Sequence, residues 1–183
     1  MHPQAPPPRQ LFMRRPDLDG LPALALPPGC EVREAMPADE AGLARVLARA
    51  FQTEWTVDRV RRDLTRAPDV AAVYIATREG EPAATASARR IPERYPGSGY
   101  LHWVASDPAA RGLGLGAAVV VRALERFREE GCRDSVLETD DPRLPAIRLY
   151  LRLGYVPEHA DPSHPERWDV VLRSLGPPWD GQG

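Results

Sequence analysis

Apolar side chains recur with helical and strand periods along most of the chain. Leu43, Val46, Leu47, Ala50 and Phe51 fall at i, i+3, i+4, i+7 and i+8, which predicts an amphipathic helix with Asp39 as its cap. Thr56 caps a second predicted helix, with Val57, Val60 and Leu64 facing inward. Three strand-like runs follow, Val70–Thr77, Ala83–Ile91 and Tyr100–Ser106. Arg78-Glu79-Gly80-Glu81-Pro82 reads as the hairpin turn between the first pair. A third helix carries Val120, Leu124 and Phe127 on one side and stops at Gly131. Ser135–Thr139 is a short strand, Leu144–Leu153 a fourth helix ended by Gly154, and Tyr155-Val156 opens another strand. This order predicts a mixed α/β fold in which an antiparallel meander feeds βαβ units.

The two ends differ from the middle. Residues 1–29 are proline-rich, with Pro6-Pro7-Pro8 and Pro27-Pro28-Gly29 around Leu11-Phe12-Met13. They read as an extended arm with room for one edge strand, because proline removes ladder donors. Residues 30–175 form the predicted domain, and 176–183 a flexible tail. Within 163–175, Trp168, Val170 and Leu172 alternate like a strand, whereas Trp168, Val171, Leu172 and Leu175 have helical spacing. The capping box Ser163-His164-Pro165-Glu166 favours helix.

Composition narrows the function classes. A chain of 183 residues suits one domain. Its formal charge of −2 predicts no field that draws in nucleic acid or a membrane. All 24 basic residues are arginine, so lysine Schiff-base or amine-base chemistry is excluded. Cys30 and Cys132 show no CxxC or disulfide-rich spacing, the N-terminus lacks the apolar core of a signal peptide, and no run is long enough to span a membrane. A cytoplasmic protein is expected, with no metal site.

The informative stretch runs Tyr100-Leu-His-Trp-Val-Ala-Ser-Asp-Pro-Ala-Ala-Arg-Gly-Leu-Gly-Leu-Gly-Ala-Ala. A strand passes through a short turn into alternating glycines that open a helix. Glycines permit positive φ and close approach of a ligand, and the N–H groups at a helix start attract anions. A nucleotide P-loop would need Gly-Lys-Ser/Thr, but Gly116 is followed by Ala117-Ala118. The dinucleotide fingerprint would be GxGxxG, whereas Gly112, Gly114 and Gly116 read GxGxG late in the chain. Arg-x-x-Gly-x-Gly is matched by Arg111, Gly114 and Gly116. A tight glycine turn without a ligand stays open from the loop alone.

Together with Pro145-Ala-Ile-Arg-Leu-Tyr-Leu-Arg-Leu-Gly-Tyr-Val-Pro downstream, this loop resembles the GNAT superfamily of N-acetyltransferases. The resemblance implies a mixed, mostly antiparallel central sheet flanked by helices and splayed at the cofactor-binding strand. It implies acetyl-CoA as cosubstrate and a small-molecule or peptide amine as acceptor, with a homodimer left open. The pantetheine arm would pair with Trp103, Val104 and Ala105. The pyrophosphate would meet Arg111, Gly112, Leu113, Gly114, Leu115, Gly116 and Ala117, and Ala146 takes the place of the family's alanine beside the cofactor. Tyr150 matches the tyrosine that protonates the coenzyme A thiolate. His102, placed on the same strand face as Val104 by alternation, is the expected base, with Glu54 and Glu138 as rivals. Arg143 stands where the family often has asparagine. Glu54, Trp55, Tyr95, Tyr100 and Trp103 would border the acceptor, a carboxylate beside aromatics suiting a cationic amine. A non-catalytic acyl-CoA-binding module on the same scaffold is the alternative.

Overall fold

A computed structural model describes residues 9–23 and 25–176. The proline run Pro6–Pro8 and, apart from Gly176, the expected tail lie outside the described residues. In chain order the elements are β1 (Leu11–Arg15), β2 (Cys30–Glu34), α1 (Glu40–Phe51), α2 (Val57–Val60), β3 (Val70–Arg78), β4 (Glu81–Arg89), β5 (Ser98–Ser106), α3 (Leu115–Glu129), β6 (Asp134–Thr139), α4 (Leu144–Arg152), β7 (Val156–Glu158) and α5 (His164–Ser174). From α1 onward the mixed α/β order predicted from periodicity is the observed one, and the ambiguous last segment is a helix. Two units divide these elements, one from Asp17 to Val136, the other joining the described residues up to Pro16 with those from Leu137 onward. Seven strands make the sheet order, which runs β2-β3-β4-β5-β6 in the larger unit and β6-β1-β7 in the smaller.

In the larger unit β2, β3, β4 and β5 pair antiparallel in succession, and β6 joins β5 in parallel. The β3–β4 turn is a two-residue loop, since Arg78 pairs Glu81 and both Glu79 (φ 54°) and Gly80 (φ 84°) are left-handed. That twist matches the flanking strands. Val73 and Ile75 face α1 and α2, where Leu43, Val46, Leu47, Val60 and Leu64 complete a buried cluster with Ala105. Each such side chain contributes about 1.5–3 kcal/mol by leaving water. Tyr74, between them, instead meets the Arg122 guanidinium of α3, so α3 covers the opposite face. β4 is built from small residues, Ala83, Ala84, Thr85, Ala86, Ser87 and Ala88, all buried. Close approach of the helices follows: a Cβ at Gly42 of α1 would overlap the Pro82 ring, and one at Gly99 would overlap the Phe127 ring.

Several local expectations change. β2 has only Cys30 and Val32 as apolar members and is absent from the sequence reading; it holds its place by pairing with β3. Asp39 precedes α1 but makes no side-chain cap to it. Its carboxylate instead accepts from the Met36 N–H and, through both oxygens, from Arg33. Thr56 does cap α2, accepting from the Arg59 N–H, and a wide turn over Arg61–Thr65 continues that helix.

In the smaller unit, the arm's expected edge strand is an interior one. β1 lies between β6 and β7, with Leu11 and Met13 fully buried, and pairs antiparallel with β7 through Phe12↔Glu158 and Arg14↔Val156. The apolar content of Leu11-Phe12-Met13 outweighs the flanking prolines. Arg15, the last residue of this strand, is buried and donates to the Leu153 carbonyl at the end of α4. Ser163 does not cap α5; its hydroxyl donates to Asp161, and Pro165 occupies the first turn.

Candidate functional site

β5 carries an irregularity next to the glycine loop. Thr85 pairs Ala105, but Ser87 pairs His102, so β5 holds one residue more than β4 between those pairs. The extra residue is a β-bulge at Trp103, whose φ is 48°. A tryptophan in the left-handed region is strained by about 1–3 kcal/mol and persists only where its surroundings hold it. Here the Trp103 ring stands edge-on to Phe51 (5.2 Å) and to Trp55 (4.7 Å), while Ser87 Oγ donates to the His102 carbonyl at 2.8 Å. The parallel register with β6 covers Ser98–Tyr100, so it ends before the bulge begins.

The bulge corrects one expected relationship. Simple alternation puts His102 and Val104 on one face, but the extra residue resets the alternation. The adjacent rings of His102 and Trp103 lie 5.0 Å apart, and Trp103 packs on the same cluster as Ala105. His102 therefore shares its face with Trp103 and Ala105, with Val104 on the other.

After β5, Asp107 folds the chain into a tight turn. Its carboxylate accepts from the Ala109 N–H (2.9 Å) and from Arg49 Nη1 of α1 (2.7 Å). The Ala109 N–H, aided by Arg49, holds this carboxyl below the usual aspartate range. Gly112 (φ 84°) and Gly114 (φ 74°) then turn the chain left-handed into α3. A Cβ added at either would meet nothing within 4 Å, so the glycines are required by backbone conformation and the loop face is open. The first intrahelical bond runs from the Ala118 N–H to the Gly114 carbonyl, so the N–H groups of Leu115, Gly116 and Ala117 precede it. The Leu115 side chain is buried and anchors this turn, while Arg111 is exposed beside it. Such a helix start favours an anion such as a pyrophosphate.

On the other side of the bulge sits an aromatic slot. Trp55 is buried, and its Nε1–H has no acceptor among the described residues. The Arg59 guanidinium lies over the Trp55 ring at 4.0 Å and 5.8 Å from the Trp103 ring. The place expected for a cationic acceptor is thus held by the protein's own cation. Arg59 Nη1 donates to the backbone carbonyl of Glu54 at 2.7 Å, whereas the Glu54 side chain is exposed. His102 stacks on Tyr100 (5.3 Å), which in turn meets Tyr95 (5.4 Å). Burial, with Arg89 assisting, pulls the His102 pKa down to about 4, and its Nδ1 has no partner among the described residues. The imidazole is neutral at pH 7.

The smaller unit holds the remaining residues. Tyr150 of α4 is buried against the Tyr155 ring at 5.9 Å. Burial, opposed weakly by Arg143, pushes its pKa up to about 12. Arg143 sits immediately before α4, and its carbonyl accepts from the Ala146 N–H at 3.0 Å. Glu138 is half-buried on β6. The larger unit thus brings His102, Trp103 and Trp55 together beside the loop, with Glu54 at the margin. Phe51 and Arg59 are members that the sequence reading did not assign to the site; the fourfold spacing from Trp55 to Arg59 was their one available signal. Among the described residues no group of three or more His, Cys, Asp or Glu side chains could hold a metal, and no helix is long and apolar enough to cross a membrane.

Comparison with known proteins places these features in a family. Residues 41–155 match the model of the acetyltransferase (GNAT) family. The mycothiol acetyltransferase of Thermomonospora curvata is 34% identical over 153 residues, covering 79% of this chain and 50% of that protein. That of Nocardia farcinica is 33% identical over 169 residues, covering 84% of this chain and 54% of that protein. The chain therefore spans about half the length of the curated relatives it matches. A GCN5-related N-acetyltransferase from Sphaerobacter thermophilus shares the fold, with a TM-score of 0.64 at 23% identity over 83% of this chain and 50% of that one.

Proposed function

The chain belongs to the acetyltransferase (GNAT) family, and from that premise we propose that it transfers an acetyl group from acetyl-CoA to a primary amine of a small molecule or peptide. The observation that carries this reading is the bulge at Trp103 followed by an open glycine loop at the start of α3. Acetyl-CoA supplies a thioester whose carbonyl the neutral amine attacks directly. Backbone N–H groups of the loop, above all those of Leu115, Gly116 and Ala117, suit the pyrophosphate, and the exposed Arg111 guanidinium adds charge there. The N–H groups of Arg111 and Leu113 instead donate to the Pro108 and Ala110 carbonyls. The backbone of Trp103, Val104 and Ala105, beyond the β6 register, suits the amide-bearing pantetheine arm. Ala146 gives the cofactor a small neighbour on α4.

Tyr150 donates the proton that the departing thiolate needs. A phenol with a pKa of about 12 remains protonated at every working pH, as an acid in this position must. His102, neutral at pH 7, relays the amine proton through water, and with a pKa of about 4 it holds that proton only transiently before passing it on. Glu54, exposed at the acceptor side, carries the proton onward to solvent.

Calorimetry with acetyl-CoA, followed by thiol release on addition of amines, tests the reading. The panel covers small amines, aminoglycosides, amino acids, peptide N-termini and the acceptor of the mycothiol acetyltransferases. Binding with amine-dependent thiol release is expected. Binding without release for any amine identifies a non-catalytic acyl-CoA-binding module, and absence of binding rejects the cosubstrate.

A further inference from the structure

The aromatic slot beside the Trp103 bulge has a charge and hydrogen-bonding pattern that selects among acceptors. Arg59 packs flat against Trp55, its Cζ 4.0 Å from the ring centroid, and thereby fills the ring face on which an incoming ammonium would rest. Its donors are only partly used. Nη1 donates to the Glu54 carbonyl at 2.7 Å and Nε reaches Asp63 Oδ2 at 3.4 Å, while Nη2 has no acceptor among the described residues. Asp63 pairs with Arg59 only at that longer distance, because Arg62 holds the same carboxylate more tightly, at 2.7 and 3.1 Å. Two arginines thus share one carboxylate, and the Nη2 edge of Arg59 is left to meet an anion.

A second, independent observation points to a polar occupant. Two buried polar atoms on rings packed against Trp103 have no partner among the described residues, Trp55 Nε1 and His102 Nδ1. An indole N–H is a donor only, so it calls for an acceptor. A donor-rich guanidinium edge and an unpaired indole N–H together ask for oxygen atoms.

The geometry points to Arg59 as the residue that sets acceptor class: the slot takes an amine whose other end is a carboxylate and turns away diamines and polyamines. This rests on the transfer reading above, and its test is a binding measurement so that the two stand or fall separately. Indole fluorescence of the full chain is titrated at pH 7 with γ-aminobutyrate, aminobutanol and putrescine, which share a four-carbon frame and differ in the distal group. The wild-type protein is expected to bind the carboxylate roughly tenfold tighter than the diamine, with the alcohol between. Arg59→Glu reverses that order, and Arg59→Gln, which keeps a planar donor without the charge, levels it; circular dichroism confirms that each variant is folded. The same ranking in all three proteins, or an equal or absent response to the three amines, overturns the assignment. Calorimetry with acetyl-CoA run in parallel reports on the transfer reading alone.

Discussion

The rings of His102 and Trp103, consecutive on one strand, stand 5.0 Å apart on the same face of β5. In a regular strand such neighbours point to opposite faces. The positive φ of Trp103 is what brings them together, and it puts a titratable ring against the indole that Phe51 and Trp55 clamp.

His102 is therefore expected to titrate far from the ordinary imidazole value. Burial disfavours its cation first, and Arg89 adds repulsion, so its midpoint falls at about 4. An unfolded imidazole titrates near ~6.5. The folded form thus loses stability relative to the unfolded as pH falls from that value through the folded midpoint. Resonances of His102 followed by NMR across this range check the shift, and Arg89→Met is expected to move the midpoint upward.

Tyr150→Phe removes a single hydroxyl from a buried ring that remains packed on Tyr155. Turnover is expected to fall on the order of 10²-fold while acetyl-CoA affinity hardly changes. Thiol release under saturating substrates gives the first quantity and calorimetry the second. Equal turnover by the two proteins removes Tyr150 from proton donation.

Gly114→Ala and Gly99→Ala separate two uses of glycine. At Gly114 a Cβ meets nothing, and the left-handed φ of 74° alone sets a cost of about 1–2 kcal/mol. Acetyl-CoA binding is expected to weaken as well, because the loop must shift. At Gly99 φ is ordinary, but the Cβ overlaps the Phe127 ring, and overpacking costs about 1–3 kcal/mol with no direct change in the loop. Urea midpoints and calorimetry on both variants distinguish these outcomes.

Arg33 clamps Asp39 through two hydrogen bonds, of 2.7 and 2.8 Å. That bonding holds the Asp39 carboxyl below its ordinary value. Its stabilisation is fully present above an unfolded pKa near ~3.9 and is lost as pH falls through the folded one. The gap in urea midpoint between wild type and Asp39→Asn is expected to be wide at neutral pH and to close under acid.

Much of this was legible in the sequence because helical and strand periods are local properties. The glycine loop, the Tyr150 segment and the larger elements all announce themselves by spacing. Three features do not. β2 has too few apolar residues to show a period and exists through its pairing with β3. The bulge requires φ 48° at a tryptophan, a conformation that no propensity assigns to that residue and that ring packing imposes. Arg59 over Trp55 is a tertiary stacking of a side chain that reads from sequence as a solvated helix charge.

The pairing of β1 with β7 bears on how the smaller unit comes into being. Arg14 and Glu158 form an ion pair diagonally across that ladder and are 144 residues apart. During synthesis the first strand leaves the ribosome roughly 7–30 s before its partner at ordinary elongation rates. For that interval Leu11 and Met13, fully buried in the finished protein, have no β7 to pair beside. The prolines on either side of them discourage stray strand pairing while they wait.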